Sequence, residues 1–336
     1  MMRLACALLL AASLHAAAEG SFVMTLYHHV SADTPRSTSL TVDELESHIL
    51  WLKDNGFQIK ALPDAIAGLQ AGDYSRTDRI AVITFDDSYD NICEAGWPLL
   101  QQHRVPFTLF VTTEFVRQKY SSQCSIEQLK AMSDSGLVII GNHSMTHPHM
   151  TDTSPYADKS AWLAAMREEI TGATAFIEQH FGPQPKYFAY PYGEYNQPLQ
   201  QLLAELGYTG FGQHSGAVGK HSDFLALPRF PLAGNFSRLD TLADKMNSLA
   251  FPAMAELSSD NPIAVDADAN PPRLVLQLQQ PLAGKVNCFL ANGTPLPIEQ
   301  QAGRIMVQAE TPLGKGRQRY NCTAASGVPG RFYWFS

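Results

Sequence analysis

Short apolar, β-branched runs alternate with longer stretches of helical spacing through the first two thirds of the chain. Residues 22–27, 80–85, 106–111, 137–140, 187–190 and 208–211 read as strands. Residues 41–56 read as a helix: Leu45, Ile49 and Leu52 share one face, Thr41 and Glu44 have capping-box spacing, and Gly56 is the stop. Further helices are expected over 63–69, 91–103, 126–132, 157–180 and 197–206. Regular alternation of strand and helix calls for a parallel sheet with crossover helices. The expected fold is therefore α/β, a distorted or incomplete (β/α) barrel over residues 19–257.

The pattern changes after Leu249. Residues 258–272, rich in Asp, Asn, Pro and Ala, read as a linker. Beyond it, 274–278, 285–290, 304–308 and 331–335 are short strand candidates separated by Gly, Pro and Asn turns. They predict a small all-β, sandwich-like domain over 273–336. Its terminal Phe332-Tyr333-Trp334-Phe335 fits an alternating core strand better than a sugar platform.

The extreme N-terminus follows a third pattern. Arg3, the apolar run 4–14 and Ala16-Ala17-Ala18 have the layout of a signal peptide over 1–18. That run is too short to span a bilayer, and no later stretch is long and apolar enough for a transmembrane segment. A periplasmic or secreted protein is expected. Export changes the reading of the cysteines. With Cys6 removed, four remain, and Cys93–Cys124 and Cys288–Cys322 are the pairings that stay within one domain. The formal charge of −8 and the lack of any Lys/Arg run exclude a nucleic-acid partner. A monomer is expected.

Candidate chemistry gathers at strand ends, where active sites of parallel α/β folds collect. The run 80–85 ends in the adjacent carboxylates Asp86 and Asp87. Alone they could be a helix cap, but burying two like charges requires a compensating cation or hydrogen bonds. After the strand 137–140 come His143 and His147, four apart, able to face one point. Two histidines and a carboxylate are a common protein set for a catalytic divalent ion. A third strand end carries Tyr190-Pro191-Tyr192-Gly193, a turn whose N–H groups could form an oxyanion hole. Tyr190, Pro191 and Tyr195 are candidate substrate contacts there, against the alternative of a Pro-Gly turn with core tyrosines.

These residues carry a family resemblance. Thr84-Phe85-Asp86-Asp87, His143-Ser144 with His147-Pro148, and Pro191-Tyr192-Gly193 resemble, in order, the first three motifs of the polysaccharide deacetylases of carbohydrate esterase family 4. The stretch 188–196 and the early Tyr27-His28 most resemble the bacterial poly-β-1,6-N-acetyl-D-glucosamine deacetylases. The resemblance spans residues 22–232 and implies metal-dependent removal of acetyl groups from N-acetylglucosamine units of poly-N-acetylglucosamine, chitin-type chains or peptidoglycan. It implies that Asp87, His143 and His147 hold the metal, Zn²⁺ first, with Co²⁺, Ni²⁺ or Fe²⁺ as alternatives. Asp86 would be the general base, and the Tyr192 N–H would hold the oxyanion. The sequence departs from the family in two places. Ala189 stands where an Arg usually tethers the catalytic Asp, and Arg229 is the candidate replacement. The usual late Leu-x-His motif is absent between Leu206 and Leu249, and the resemblance to the poly-N-acetylglucosamine subgroup, in which the early Tyr-His motif supplies the general acid, implies His28, with His214 as its rival. An O-acetyl esterase of xylan type and a catalytically silent glycan-binding protein are the competing readings. The intact Asp86, Asp87, His143 and His147 set speaks against the latter, since binding alone needs no base beside a metal.

Overall fold

A computed structural model of the chain describes residues 19–258, 263 and 265–336; the signal peptide read over 1–18 lies outside the described residues. Seven strands form the path of the main sheet: β1 (Ser21–Tyr27), β2 (Ile80–Asp86), β3 (Phe107–Val111), β4 (Val138–Asn142), β5 (Tyr187–Ala189), β6 (Thr209–Phe211) and β7 (Ala217–Gly219). Their spatial order is β7-β1-β2-β3-β4-β5-β6. Every neighbouring pair is parallel except β7 with β1. Two short strands, Gln58–Ile59 and Phe230–Pro231, join alongside β2 and β1. The result is the incomplete barrel that the alternating pattern predicts: a curled half-barrel sheet with helices packed against it.

Side-chain alternation places the chemistry. Along β2, Ala81, Ile83 and Phe85 enter the core cluster beneath helix α1 (Val42–Asp54), whereas Ile80 and Val82 enter a second cluster with Phe22, Met24, Phe110 and Phe211. Both faces are buried, which is why the run reads as continuously apolar. A period of two then puts Thr84 and Asp86 on the face of Ile80 and Val82, inside the curl.

Helix α1 begins where the sequence places it. Thr41 accepts from the N–H of Glu44, and the Glu44 carboxylate reaches back to the Thr41 N–H at 2.8 Å. Glu44 also accepts from Arg36 at 2.8 Å and from Ser237 at 2.9 Å, tying α1 to two loops.

The boundary to the C-terminal region differs from the sequence reading. Ser248–Ala250, expected inside the first domain, pairs in parallel with Phe332–Phe335, and Ala253–Leu257 pairs antiparallel with Leu274–Leu278. Residues 248–257 thus hydrogen-bond into two four-stranded C-terminal sheets, on the far side of the expected linker. The first of these strands is too short to show a period, and the second is Ala-Met-Ala-Glu-Leu with no β-branched residue. Strand Tyr320–Ala325 also escapes the sequence reading, because only Tyr320, Cys322 and Ala324 of its alternating set face the core. Both sheets contribute to one core containing Leu249, Leu276, Cys288, Ile305, Cys322 and Tyr333. Contacts across to the half-barrel are specific. Arg331 donates to the carbonyls of Arg76 (2.9 Å) and Asp78 (2.7 Å), and Trp334 stacks edge-on against Phe230.

Both disulfides are present in the structure. Cys288 and Cys322 are register partners on adjacent strands, with Cα atoms 4.1 Å apart. Cys93 and Cys124 are 5.9 Å apart at Cα and link the segment after β2 to the start of the helix Ile126–Asp134.

The Glu44 junction makes an acid-stability prediction. The Arg36 hydrogen bond, against the opposing effect of burial, holds the Glu44 carboxyl at about 2. A depressed folded-state pKa contributes stability above the unfolded value, about 4.3 for Glu, and loses it as pH falls through the folded one. Wild type should therefore exceed Glu44→Gln in urea midpoint by a constant margin above about pH 5. That margin should shrink steadily between roughly pH 4.5 and 2.

Candidate active site

Strand β2 delivers Asp86 into the curl with no solvent exposure. Arg229, equally buried, meets it with two parallel hydrogen bonds, Nη1 to Oδ1 at 2.7 Å and Nη2 to Oδ2 at 2.8 Å. The guanidinium is itself fixed by donation from Nε to the Gly212 carbonyl (2.9 Å) and from Nη1 to Thr84 Oγ1 (3.3 Å), over the Phe110 ring. Burial pushes the Asp86 carboxyl upward, but Arg229 and, behind it, His143 outweigh burial and hold it below the usual range. Asp86 is therefore an ionised, oriented carboxylate in a dry setting.

The next residue turns out of the strand. Asp87 has φ 74° and Ser88 φ 55°, a left-handed corner that throws the Asp87 side chain toward the end of β4. There the chain makes a second strained corner, with Ser144 at φ 67° and His147 at φ 57°. The corner is held at several points. Asn142 Oδ1 accepts from the Ser144 N–H and Ser144 Oγ from the His147 N–H. Glu169, on the long helix α2 (Lys159–Phe181), accepts from the N–H groups of Met145 and Thr146, both at 2.9 Å, and from Thr146 Oγ1. The two histidines thus meet in a tight loop rather than on a helix. Strain of this kind persists only where the surroundings over-determine it, and it concentrates at functional sites.

Asp87 Oδ1 lies 3.3 Å from His143 Nε2 and 3.2 Å from His147 Nε2, and the three ligand atoms lie within 4.8 Å of one another. His143 Nδ1 points at the Ala189 carbonyl at 2.7 Å, an acceptor that can only take a proton, which leaves Nε2 as the lone-pair nitrogen of the neutral ring. That Nε2 is buried and makes no hydrogen bond. Burial opposes a charge on His143, yet Asp86 and Asp87 raise its proton affinity on balance. An orphaned buried nitrogen, a second imidazole and a carboxylate converging on one electron-rich point fit a divalent cation with N and O ligands.

The turn after β5 closes a third side. Pro191–Gly193 is a short 3-10 turn in which Tyr192 takes φ 57°. The Tyr192 ring, 37% exposed, stands edge-on to His147 at 4.4 Å and stacks on His149 at 4.1 Å. Its neighbours correct part of the sequence reading. Tyr190 is no substrate contact: it is fully buried, donates to the Leu225 carbonyl at 2.8 Å and packs against Phe188. Pro191 is buried as well. Tyr195 is half-buried, with its ring 5.3 Å from Tyr190. An aromatic beside a Pro-Gly turn serves the core as readily as a groove, and here burial decides for the core.

The two candidate acids lie in different surroundings. His28 follows β1. Burial lowers its proton affinity, and Asp87 and Asp86 are the charged groups that pull it back up. His29 turns away to stack on Tyr89 at 3.7 Å and pair with Asn91. His214 is pushed down to about 4 by burial and then by Arg319 and Arg229, cations rather than the carboxylates. Two contributors escaped the sequence reading. Tyr89 has its phenol pushed up by burial and by Asp87 beside it, yet nothing marked it off from a helix-start aromatic. Glu169 looks like any exposed charge in an amphipathic helix.

Comparison with known proteins fits this arrangement. Residues 73–211 match the polysaccharide deacetylase family. A putative polysaccharide deacetylase, YxkH of Bacillus subtilis (strain 168), is 25% identical over 213 residues, 63% of this chain and 71% of that protein. The poly-beta-1,6-N-acetyl-D-glucosamine N-deacetylase of Staphylococcus aureus (strain MRSA252) is 24% identical over 225 residues, 66% of this chain and 77% of that protein. The fold matches that of IcaB from Ammonifex degensii with a TM-score of 0.59 at 23% identity, covering 68% of this chain and 98% of that one. Residues 73–211 carry a polysaccharide deacetylase domain, of the kind found in the hydrolases of carbohydrate esterase family 4. It is related to the poly-N-acetylglucosamine deacetylases within them.

The buried pair is testable by stability alone. Arg229→Ala leaves an uncompensated carboxylate inside the curl and should cost about 3–5 kcal/mol. Replacing both partners together, Asp86→Leu with Arg229→Met, should cost markedly less, which a double-mutant cycle by urea unfolding measures.

Proposed function

We propose that the protein is an exported, metal-dependent deacetylase that hydrolyses the N-acetyl groups of an N-acetylglucosamine-containing glycan. The observation that carries this reading is the adjacency of two carboxylates with different partners. Asp86 is clamped by Arg229, and Asp87 faces His143 and His147. A site built only to bind sugar has no use for an ionised base held beside a set of cation ligands.

Asp87, His143 and His147 would hold the divalent ion, Zn²⁺ first. When bound, such an ion polarises the acetyl carbonyl and lowers the pKa of water. Asp86 takes the proton from the attacking water as the new C–O bond forms, and Arg229 keeps it ionised and correctly turned for that step. The Tyr192 N–H donates to the oxygen that becomes negative in the tetrahedral species. The C–N bond then breaks, and the leaving nitrogen takes a proton from His28. His28 is favoured over His214 because the site's own carboxylates, Asp87 and Asp86, act on it alongside Arg229 and His143, whereas the charges acting on His214 are Arg319 and Arg229. Acetate and the free amine leave.

Export is supported by the Arg3, apolar 4–14 and Ala16–Ala18 pattern and by two disulfides, which persist in oxidising compartments. No helix of the described residues is long and apolar enough to cross a membrane. A monomer remains the expected state.

Acetate release from an N-acetylglucosamine pentamer, with and without chelator, tests the reading. Metal-dependent release is expected. Asp86→Asn and His28→Ala should each lower kcat by about 10²–10⁴-fold, while His214→Ala should stay near wild type. Release from acetylated xylan but not from the pentamer would make the enzyme an ester hydrolase. Full activity of His28→Ala with loss in His214→Ala would reverse the choice of acid.

A further inference from the structure

The C-terminal β region sends one loop back to the active site. Between strands Arg304–Val307 and Tyr320–Ala325 the chain carries Gly314-Lys315-Gly316-Arg317 and then Arg319. Arg317 donates through Nη2 to the main-chain carbonyl of Tyr192 and through Nη1 to Gln213 Oε1 at 3.4 Å. Arg319 donates to the Gln213 carbonyl at 2.9 Å. Gln213 is in turn the surface on which the Tyr192 turn rests: a Cβ on Gly193 would lie 2.6 Å from Gln213 Cβ. The residues on either side of Gln213 are bonded to Arg229, which donates from Nε to the Gly212 carbonyl and from its main-chain N–H to the His214 carbonyl.

Tyr192 is a non-glycine residue in the left-handed region, so its conformation needs external support. Inside the turn, the Gly193 N–H donates to the Tyr190 carbonyl at 2.8 Å. Arg317 grips the other end of the same peptide unit, the Tyr192 carbonyl. With both ends held, the Tyr192–Gly193 peptide plane cannot rotate, and the Tyr192 ring stays between His147 and His149.

We infer that Arg317 is a positioning residue for the deacetylation site, and that the C-terminal β region belongs to the catalytic apparatus rather than capping the barrel from outside. The inference rests on the proposed deacetylase reading where it gives the Tyr192 N–H to the oxyanion. Arg317 itself is exposed and reaches no reacting atom; it acts by holding the turn that does.

The test compares full-length wild type, Arg317→Ala and Arg317→Lys. Kinetics on the N-acetylglucosamine pentamer in the Zn²⁺-loaded protein should show kcat falling about 10–100-fold in Arg317→Ala, the scale of a small misplacement of a reacting group. KM, Zn²⁺ affinity and thermal midpoint should hold, and Arg317→Lys should recover part of kcat because an ammonium reaches one of the two acceptors. An independent readout needs neither activity nor metal. The stacked Tyr192 ring should shift the ring protons of His149 in the metal-free protein, and in Arg317→Ala they should move toward free-histidine values. Unchanged kcat in Arg317→Ala overturns the positioning role, whether or not the His149 resonances move. Unchanged His149 resonances overturn the claim that Arg317 holds the turn. If wild type releases no acetate, the deacetylase reading fails by itself, and the His149 resonances still decide whether Arg317 holds the turn.

Discussion

A carboxylate with no access to water stays ionised only with a cation or strong hydrogen-bond donors in contact, and the bidentate Asp86–Arg229 pair, which supplies both, is the constraint around which this fold is arranged. The two residues lie 143 positions apart. Bringing them together requires β2 to end inside the curl and the chain after β6 to return alongside β6 toward β1. The return is built from close backbone approaches. Gly210 sits so near the Leu225 carbonyl that a Cβ would lie 2.1 Å from that oxygen, and Leu227 donates to the Gly210 carbonyl at 2.8 Å. Arg229 enters two residues later. The family's usual tether position holds Ala189 here, and its carbonyl instead fixes the tautomer of His143.

Around that pair the backbone is under local strain. Of the eight non-glycine residues with positive φ among the described residues, five belong to the site: Asp87, Ser88, Ser144, His147 and Tyr192. Each corner has its own brace. The Asp87 corner is bonded through the Ser88 carbonyl to the N–H of Cys124, which the disulfide to Cys93 anchors. The His143–His147 corner hangs on Glu169, and the Tyr192 corner is gripped from the C-terminal region by Arg317. The candidate site is thus supported from three separate parts of the chain, which is how side chains on loops acquire the precision of side chains on strands.

Much of this was legible in the residues alone. The barrel strands announce themselves because both faces are buried, so β-branched runs such as 80–85 stand out from helical spacing. The Asp, His and Pro-Tyr-Gly motifs sit at strand ends, where the topology must gather them. What was hidden depends on long-range packing. Ser248–Ala250 and Ala253–Leu257 become strands only because partners in the C-terminal sheets await them. Tyr190 looks like a groove aromatic until its burial is seen. Glu169 and Arg317 are ordinary charges in sequence, and their importance lies in main-chain groups 23–24 and 125 positions away.

The central claim is that Asp87, His143 and His147 form one metal centre beside an ionised base. X-ray absorption at the zinc edge of the Zn²⁺-loaded protein tests it most directly. The account predicts two imidazole nitrogens and at least one carboxylate oxygen at about 2.0–2.2 Å, with one imidazole lost in His143→Ala or His147→Ala. A shell made of oxygen alone, or a spectrum that either substitution leaves unchanged, would contradict it.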